Sequence, residues 1–245
     1  MYKIKNYTSR LLRKFGYEVH RHSSLSKSVK EPFYHFRDIV KEIQPVIFDV
    51  GAYIGDTVEQ FKSSFPESHI HAFEPFNESF VIMKNRFQET DAIFFNNLAI
   101  GDSVVEADSL YVTRNKGSSS LLKPMKSANK FWEGNPLLMQ KKVEVKINTI
   151  DKYCEEKSIN EIDILKIDVQ GNEIKVLKGA SRMLGDKKIK LIFTEISIAP
   201  SYKNQSEIDE IISLLRSYGY RIFNFFKMKH LKGKLIECDV LFYSE

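Results

Sequence analysis

Cysteine is nearly absent. Cys154 and Cys238 are the two in the chain, too few for a disulfide framework or a thiolate metal cluster. Both read as buried thiols in a reducing compartment, which sets the expectation of a cytoplasmic protein. No apolar run approaches the ~18 residues of a membrane span. The first residues carry charge but no apolar h-region, so no secretory signal is read there. Internal repeats and low-complexity tracts are also missing. So is the G-x-G-x-x-G spacing with which a dinucleotide fold admits a pyrophosphate.

What is present suits one large α/β domain with a small extension: 245 residues, 42% hydrophobic and 28% charged. The net charge of +5 and a pI of about 8.9 favour anionic partners in general; no nucleic-acid partner is expected. Residues 1–44 read as a distinct basic extension, with Lys3, Lys5, Arg10, Arg13, Lys14, Arg21, Lys27 and Lys30 against Glu18 and Glu31. Ile4, Tyr7, Leu11, Leu12 and Phe15 fall at helical spacing and predict an amphipathic helix ending near Gly16. It either touches an anionic surface, such as a membrane or a phosphorylated carrier, or packs its apolar face on the domain.

Residues 45–245 form the main domain. Val46–Val50, His69–Phe73 and Ala92–Asn96 read as strands, alternating with helices over 55–64 and 77–88. That rhythm implies a mostly parallel, doubly wound sheet with helices on both faces. It breaks at 101–148, where strand-like Leu110–Val112 and Val143–Ile147 flank a polar stretch, taken as a lid over about 114–142. The alternation then resumes: a helix over 150–157, a strand over 162–168, a helix over 172–184, a strand over 190–195 and a helix over 206–218. Tyr220–Phe226 and Cys238–Phe242 close the chain as a hairpin around Gly233.

The first strand turns into a helix through Asp49-Val50-Gly51-Ala52-Tyr53-Ile54-Gly55-Asp56-Thr57. Such a turn is expected to set free backbone N–H groups beside a ligand at the carboxyl edge of the sheet. Glu74 ends the second strand on that edge, and a carboxylate there accepts hydrogen bonds from a ribose diol. Asp49 with Glu74 suits a ligand bearing an amine and a diol, which S-adenosylmethionine is. A βαβ turn with incidental glycines is the plainer alternative. A second group gathers Lys166, Asp168 and Glu173 around Gly171, with Glu195 ending the next strand. Strand alternation puts Lys166 and Asp168 on one face. These carboxylates suit general-base work or a divalent cation; Asp168 and Glu173 equally suit capping of the following helix.

In order, the chain carries Phe48-Asp49-Val50-Gly51-Ala52-x-x-Gly55, Ala72-Phe73-Glu74-Pro75, Asn97-Leu98-Ala99-Ile100-Gly101-Asp102, Gly117-Ser118-Ser119-Ser120-Leu121, and Leu165-Lys166-Ile167-Asp168-Val169-Gln170-Gly171-Asn172-Glu173. This set resembles the FkbM family of S-adenosylmethionine-dependent methyltransferases over about residues 46–226. The resemblance implies the class I methyltransferase fold, a Rossmann-like seven-stranded sheet with a reversed last strand. It also implies O-methylation of a sugar or polyketide hydroxyl; a saccharide or glycan-precursor acceptor is expected here.

On that reading Gly51, Ala52, Tyr53 and Gly55 hold the methionine part, with Thr57 at the helix start and Asp49 near the amine. Glu74, beside Pro75, takes the ribose hydroxyls, and Asn97 and Ala99 flank the adenine. Asp168 is the base, tuned by Lys166, and Ser118, Ser119 and Glu195 face the acceptor. No metal ligand is assigned. Tyr53 stands where the family often has Asn, and Gln170 where it often has Glu. An NAD-binding oxidoreductase or a non-catalytic module on the same sheet are the rival readings.

Overall fold

The computed structural model describes residues 32–87 and 92–244. The basic helix expected over the first sixteen residues lies outside them, and with it any contact it makes with a membrane or carrier. The described chain begins with helix α1 (Pro32–Ile39), followed by β1 (Val46–Val50), α2 (Asp56–Ser64), β2 (His69–Phe73), α3 (Asn77–Arg86) and β3 (Ile93–Asn96). Next come β4 (Ala99–Ile100), β5 (Val105–Thr113), β6 (Met139–Asn148), α4 (Ile150–Lys157), β7 (Ile162–Ile167), α5 (Glu173–Lys178) and α6 (Ser181–Gly185). The chain closes with β8 (Ile189–Ser197), α7 (Ile208–Ser217), β9 (Tyr220–Leu231) and β10 (Lys234–Ser244).

Seven strands form one sheet in the order β3-β2-β1-β7-β8-β10-β9. All lie parallel except β10, which runs antiparallel to both neighbours. The expected doubly wound sheet with a reversed last strand is therefore present. Its central strands β1, β7 and β8 are buried along almost their whole length because helices cover both faces. One core contains Phe48, Leu165, Ile192, Leu215 and Val240. The other contains Ile47, Phe61, Ile70, Ile164 and Leu191.

Several boundaries differ from the sequence reading, each for a local reason. The stretch before Val46 does not stand wholly apart, because Phe36 of α1 is fully buried and meets Phe61 and Phe193. The helix expected over 172–184 is two short helices with the break at Gly179. A Cβ on Gly179 would lie 2.0 Å from the Gly101 carbonyl oxygen, so chain from the β4 side presses against this point. The final hairpin is longer than expected and turns through Lys232 and Gly233, both with positive φ, as a two-residue hairpin loop requires.

The break in rhythm at 101–148 builds a second sheet, β4-β6-β5. Beta-branched Val105, Val112, Val143, Val145 and Ile147 give it a small core with Phe76, Ala99 and Leu110. Its connection, residues 114–138, carries two 3₁₀ turns, Lys116–Ser118 and Lys126–Lys130. The connection is tied to the main domain at named points. Ser120 Oγ donates to the Gln170 carbonyl at 2.8 Å, Tyr202 Oη to the Ser118 carbonyl at 2.8 Å, and Trp132 Nε1 to Ser201 Oγ at 2.9 Å.

Candidate functional site

The register of the parallel strands brings the acids together. Val50 pairs with Phe73 and with Ile167, and Ile167 with Thr194. One residue further, Glu74, Gly51 and Asp168 leave the sheet on its carboxyl edge beside Glu195, which does not end its strand as expected, since β8 runs on to Ser197. Asp239 of β10 faces Glu195 across the next pair.

Gly51 makes this edge possible. It has φ +80°, and a Cβ there would lie 1.8 Å from the carbonyl oxygen of Asp168. The β1 and β7 turns thus touch backbone to backbone, a contact closed to any side chain. Gly55 has another role. Its Cβ would strike the Phe87 ring at 2.7 Å, so it packs α2 against α3 rather than facing the cleft.

The expectation of free backbone donors in this turn needs correcting. Gly51 and Ala52 N–H both donate to the Phe73 carbonyl, Tyr53 N–H to Glu74 Oε2, and Gly55 N–H to the Ala52 carbonyl. A turn this tight satisfies its own amides. What opens on the cleft is the first turn of α2, at Asp56 and Thr57. Its N–H groups have no intrahelical partner, and Gly55 supplies no side-chain cap.

A cavity of about 230 Å³ lies above the edge. Of the residues expected to hold the cofactor, Gly51, Ala52, Tyr53, Thr57, Glu74, Pro75 and Ala99 line it; so do Lys166, Asp168 and Ser119. Asp49, Gly55 and Asn97 are not among its walls. Asp49 is 0% exposed beneath the turn. Asn97 Nδ2 donates outside the cavity, to the Glu74 and Pro75 carbonyls at 2.9 and 3.2 Å, and so holds that strand end in place.

The walls also include Leu98, Ile100, Leu110, Leu121, Gln170 and Asn172, which the sequence reading did not assign. Leu98, Ile100 and Leu121 sit inside the motifs already quoted, next to residues that were assigned. Leu110 arrives from β5 and carried no signal, since only the fold of the second sheet over the first brings it there.

The charges are arranged in depth. Lys166 Nζ donates to the Gly51 carbonyl at 2.8 Å and lies 2.9 Å from Asp49 Oδ1 and 3.7 Å from Asp168 Oδ2. The Lys166–Asp49 pair is closed off from solvent on both sides, with 7% and 0% of the side chains exposed. Burial pushes the Asp49 carboxyl above its ordinary range, against the pull of the ammonium. The two carboxylates hold the Lys166 ammonium above its ordinary value despite its burial. Asp168 is the accessible member, with 34% of its side chain exposed.

Glu74 is 8% exposed. Its Oε2 accepts the Tyr53 N–H at 3.0 Å and its Oε1 the Phe76 N–H at 2.8 Å. Burial nevertheless pushes its carboxyl up to about 7. Glu173 serves the neighbouring turn, accepting the Gly171 N–H at 2.9 Å, and burial pushes it up to about 7 as well.

A second cavity, of about 350 Å³, adjoins the first and shares Tyr53, Gly117 and Gln170 with it. Ser118, Trp132, Glu195, Tyr202, Lys229 and Glu237 are among its walls. Two of the three residues expected on the acceptor side, Ser118 and Glu195, therefore face this space, and Ser119 faces the first. Gln170, in a left-handed conformation at φ 59°, stands on the partition. Its Nε2 donates to Asp168 Oδ1 at 2.8 Å and Glu195 Oε2 at 2.7 Å, and its Oε1 lies 3.0 Å from Tyr202 Oη, whose one proton is shared with the Ser118 carbonyl. A glutamate at 170 could not donate to either acid, so the carboxamide suits this arrangement. Among the described residues no group of three or more His, Cys, Asp or Glu side chains is placed to share a metal ion. No described helix is long and apolar enough to cross a membrane.

Residues 49–222 match the family model described as the methyltransferase FkbM domain. A relative named 2-O-methyltransferase NoeI, from Sinorhizobium fredii, is 24% identical over 188 residues, covering 74% of each chain. Among solved structures, the methyltransferase FkbM from Methylobacillus flagellatus is similar at TM-score 0.53 and 16% identity over 89% of this chain. That match takes in 49% of the Methylobacillus chain, so the present chain spans about half its length. A magnesium protoporphyrin IX methyltransferase from Synechocystis aligns over 98% of this chain and 97% of its own, at TM-score 0.46 and 9% identity.

Proposed function

The chain belongs to the methyltransferase FkbM family, and from that premise we propose that it transfers a methyl group from S-adenosylmethionine to a hydroxyl of a saccharide or glycan precursor in the cytoplasm. Glu74 carries the reading. Each of its oxygens accepts one backbone N–H, which leaves a further lone pair on each for the two hydroxyls of a ribose. Beside it, Leu98, Ile100, Leu110 and Leu121 form an apolar slot that suits a flat heterocycle. The name of the relative NoeI supports oxygen as the acceptor atom.

The cofactor supplies an electrophilic methyl group on a sulfonium. The protein's share begins with position. Gly51, Ala52 and Tyr53 form the wall beside Asp168, and the start of α2 at Thr57 closes that end with open N–H groups. Asp168 takes the proton of the acceptor hydroxyl as its oxygen gains the methyl. A base so placed contributes typically ~10²–10⁴-fold. Gln170 fixes one oxygen of Asp168 and Lys166 lies near the other, so the carboxylate is oriented before the acceptor arrives. Alignment should contribute more than the base does, because an alkyl hydroxyl reacts only when in line with the methyl.

Calorimetry with S-adenosylmethionine against NAD tests the cofactor. Saturable binding of the first and none of the second is expected; the reverse would establish the oxidoreductase reading instead. Release of S-adenosylhomocysteine in the presence of cell glycans, with a mass gain of one methylene on a glycan, separates the enzyme from a non-catalytic module.

A further inference from the structure

We propose that the second cavity is the acceptor site and that it selects an uncharged polyhydroxylated acceptor over a phosphorylated or carboxylated one. The inference rests on the methyl-transfer reading for the word acceptor, but its residues and its selectivity are argued independently. The two cavities meet at Tyr53 and Gln170. Asp168 and Glu195 lie on opposite sides of that partition, both bound by the one Gln170 carboxamide. A hydroxyl presented from the second cavity therefore arrives where Asp168 faces the first.

The walls supply what a polyol needs. Glu195 and Glu237 present carboxyl oxygens, which accept hydrogen bonds in either protonation state and so suit a ligand rich in O–H groups. Trp132 has its Nε1–H tied to Ser201 and Lys229 over its ring, so it adds carbon surface to the cavity wall and no free hydrogen-bond donor.

Charge decides against an anion. Burial, and then the neighbouring carboxylates Asp168, Glu237 and Asp239, push Glu195 well above its ordinary range. These acids already crowd one another, and a bound anion would add to the same repulsion. The basic groups nearby are engaged: Lys229 lies 4.2 Å over the Trp132 ring and 3.8 Å from Glu237, and Lys227 lies 3.1 Å from Asp239. A phosphate here would meet carboxylates without a free cation among the described walls of the cavity, and in a partly buried site that repulsion is weakly screened.

Trp132 is the single tryptophan of the chain, so its fluorescence reports on this cavity with no need for turnover. The full chain is titrated with glucose, galactose and N-acetylglucosamine, each beside its 6-phosphate and, for the first two, its uronic acid. We expect saturable change in Trp132 emission with at least one neutral sugar, and response to its anionic counterparts weaker by about tenfold or more. The variant Glu237→Lys, with its fold checked by thermal unfolding, should narrow or reverse that gap and leave the S-adenosylmethionine isotherm unchanged. Anionic sugars acting as strongly as neutral ones, or no neutral sugar acting at all, would overturn the assignment. Failure of cofactor binding, with the neutral-sugar response intact, would instead strike the methyltransferase reading.

Discussion

At Asp168, replacement by Asn keeps the size of the side chain and an oxygen for the Gln170 amide, but removes the capacity to take a proton. Asp168→Asn should therefore lower the methyl-transfer rate by ~10² or more with cofactor affinity nearly unchanged, read from single-turnover kinetics and calorimetry. The expected capping role is not open to Asp168, because Asn172 is the N-cap of α5; a side chain that only positions Gln170 would leave both untouched on replacement, and a metal role would make chelation of the wild type mimic the variant. Glu74 lends itself to a second test. Glu74→Ala should weaken S-adenosylmethionine by roughly 1–3 kcal/mol, since hydrogen bonds to an ionised group are lost. The wild-type affinity should also depend on pH. Burial holds the free carboxyl near 7, whereas the diol donates to the ionised form. Below about 7 binding must expel a proton, so affinity should rise with pH up to about 7 and level off above it. Isotherms in a pH series should lose this slope in Glu74→Gln.

At the scale of the element, the β1–α2 turn and the β7–α5 turn behave as one piece because Gly51 lets them touch. Gly51→Ala places a methyl 1.8 Å from a backbone oxygen in a left-handed conformation. The main chain must move, and a loss of about 2–4 kcal/mol in denaturant unfolding is expected, with loss of cofactor binding. Gly134 is the control. It also has positive φ (+75°), but nothing lies within 4 Å of its Cβ position. Gly134→Ala should cost only the ~1–2 kcal/mol of the backbone conformation and spare binding. The hairpin β9–β10 illustrates how an element's length matters. Lys229 and Glu237 pair with each other across it, Glu237 also pairs with Ser197 of β8, and both line the second cavity.

For the molecule as a whole, stability against pH is a sum over buried groups with opposite signs. His71 lies inside the core, its Nδ1 2.9 Å from Tyr153 Oη and its ring stacked on Phe94 at 4.5 Å. Burial lowers its pKa from 6.5 to about 4. The unfolded chain then binds the proton first as pH falls, so stability held above 6.5 is lost progressively down to about 4, by roughly 3 kcal/mol. Glu74 and Glu173, both raised to about 7, work the other way: they bind protons in the folded state first and add stability as pH falls from 7 toward 4.5. The difference between wild type and His71→Gln in urea titrations should isolate the histidine. The variant is expected to lose stability less steeply with acid between pH 6.5 and 4.

The sequence by itself determined the main sheet, its carboxyl edge and most residues on that edge. Apolar runs alternating with amphipathic segments admit few layer arrangements, and strand alternation alone places Lys166 with Asp168. It did not determine which of the edge residues face the cleft. Asp49 and Gly55 carry the same local pattern as Gly51, yet one lies under the turn and the other packs on Phe87. That choice depends on what approaches from elsewhere in the chain, here the Asp168 carbonyl and helix α3. The partition at Gln170 was likewise out of reach. Its partners Asp168, Glu195 and Tyr202 lie 2, 25 and 32 residues away, and no periodicity encodes a meeting of its own turn with strand β8 and the segment that follows it. Tertiary structure also decided that the polar stretch after β5 has partners. Ser118, Ser120 and Trp132 read as loop residues until Tyr202, Gln170 and Ser201 are brought against them. Local sequence sets the period of an element and the ends of its strands; only long-range packing sets which side of a turn is left open to a ligand.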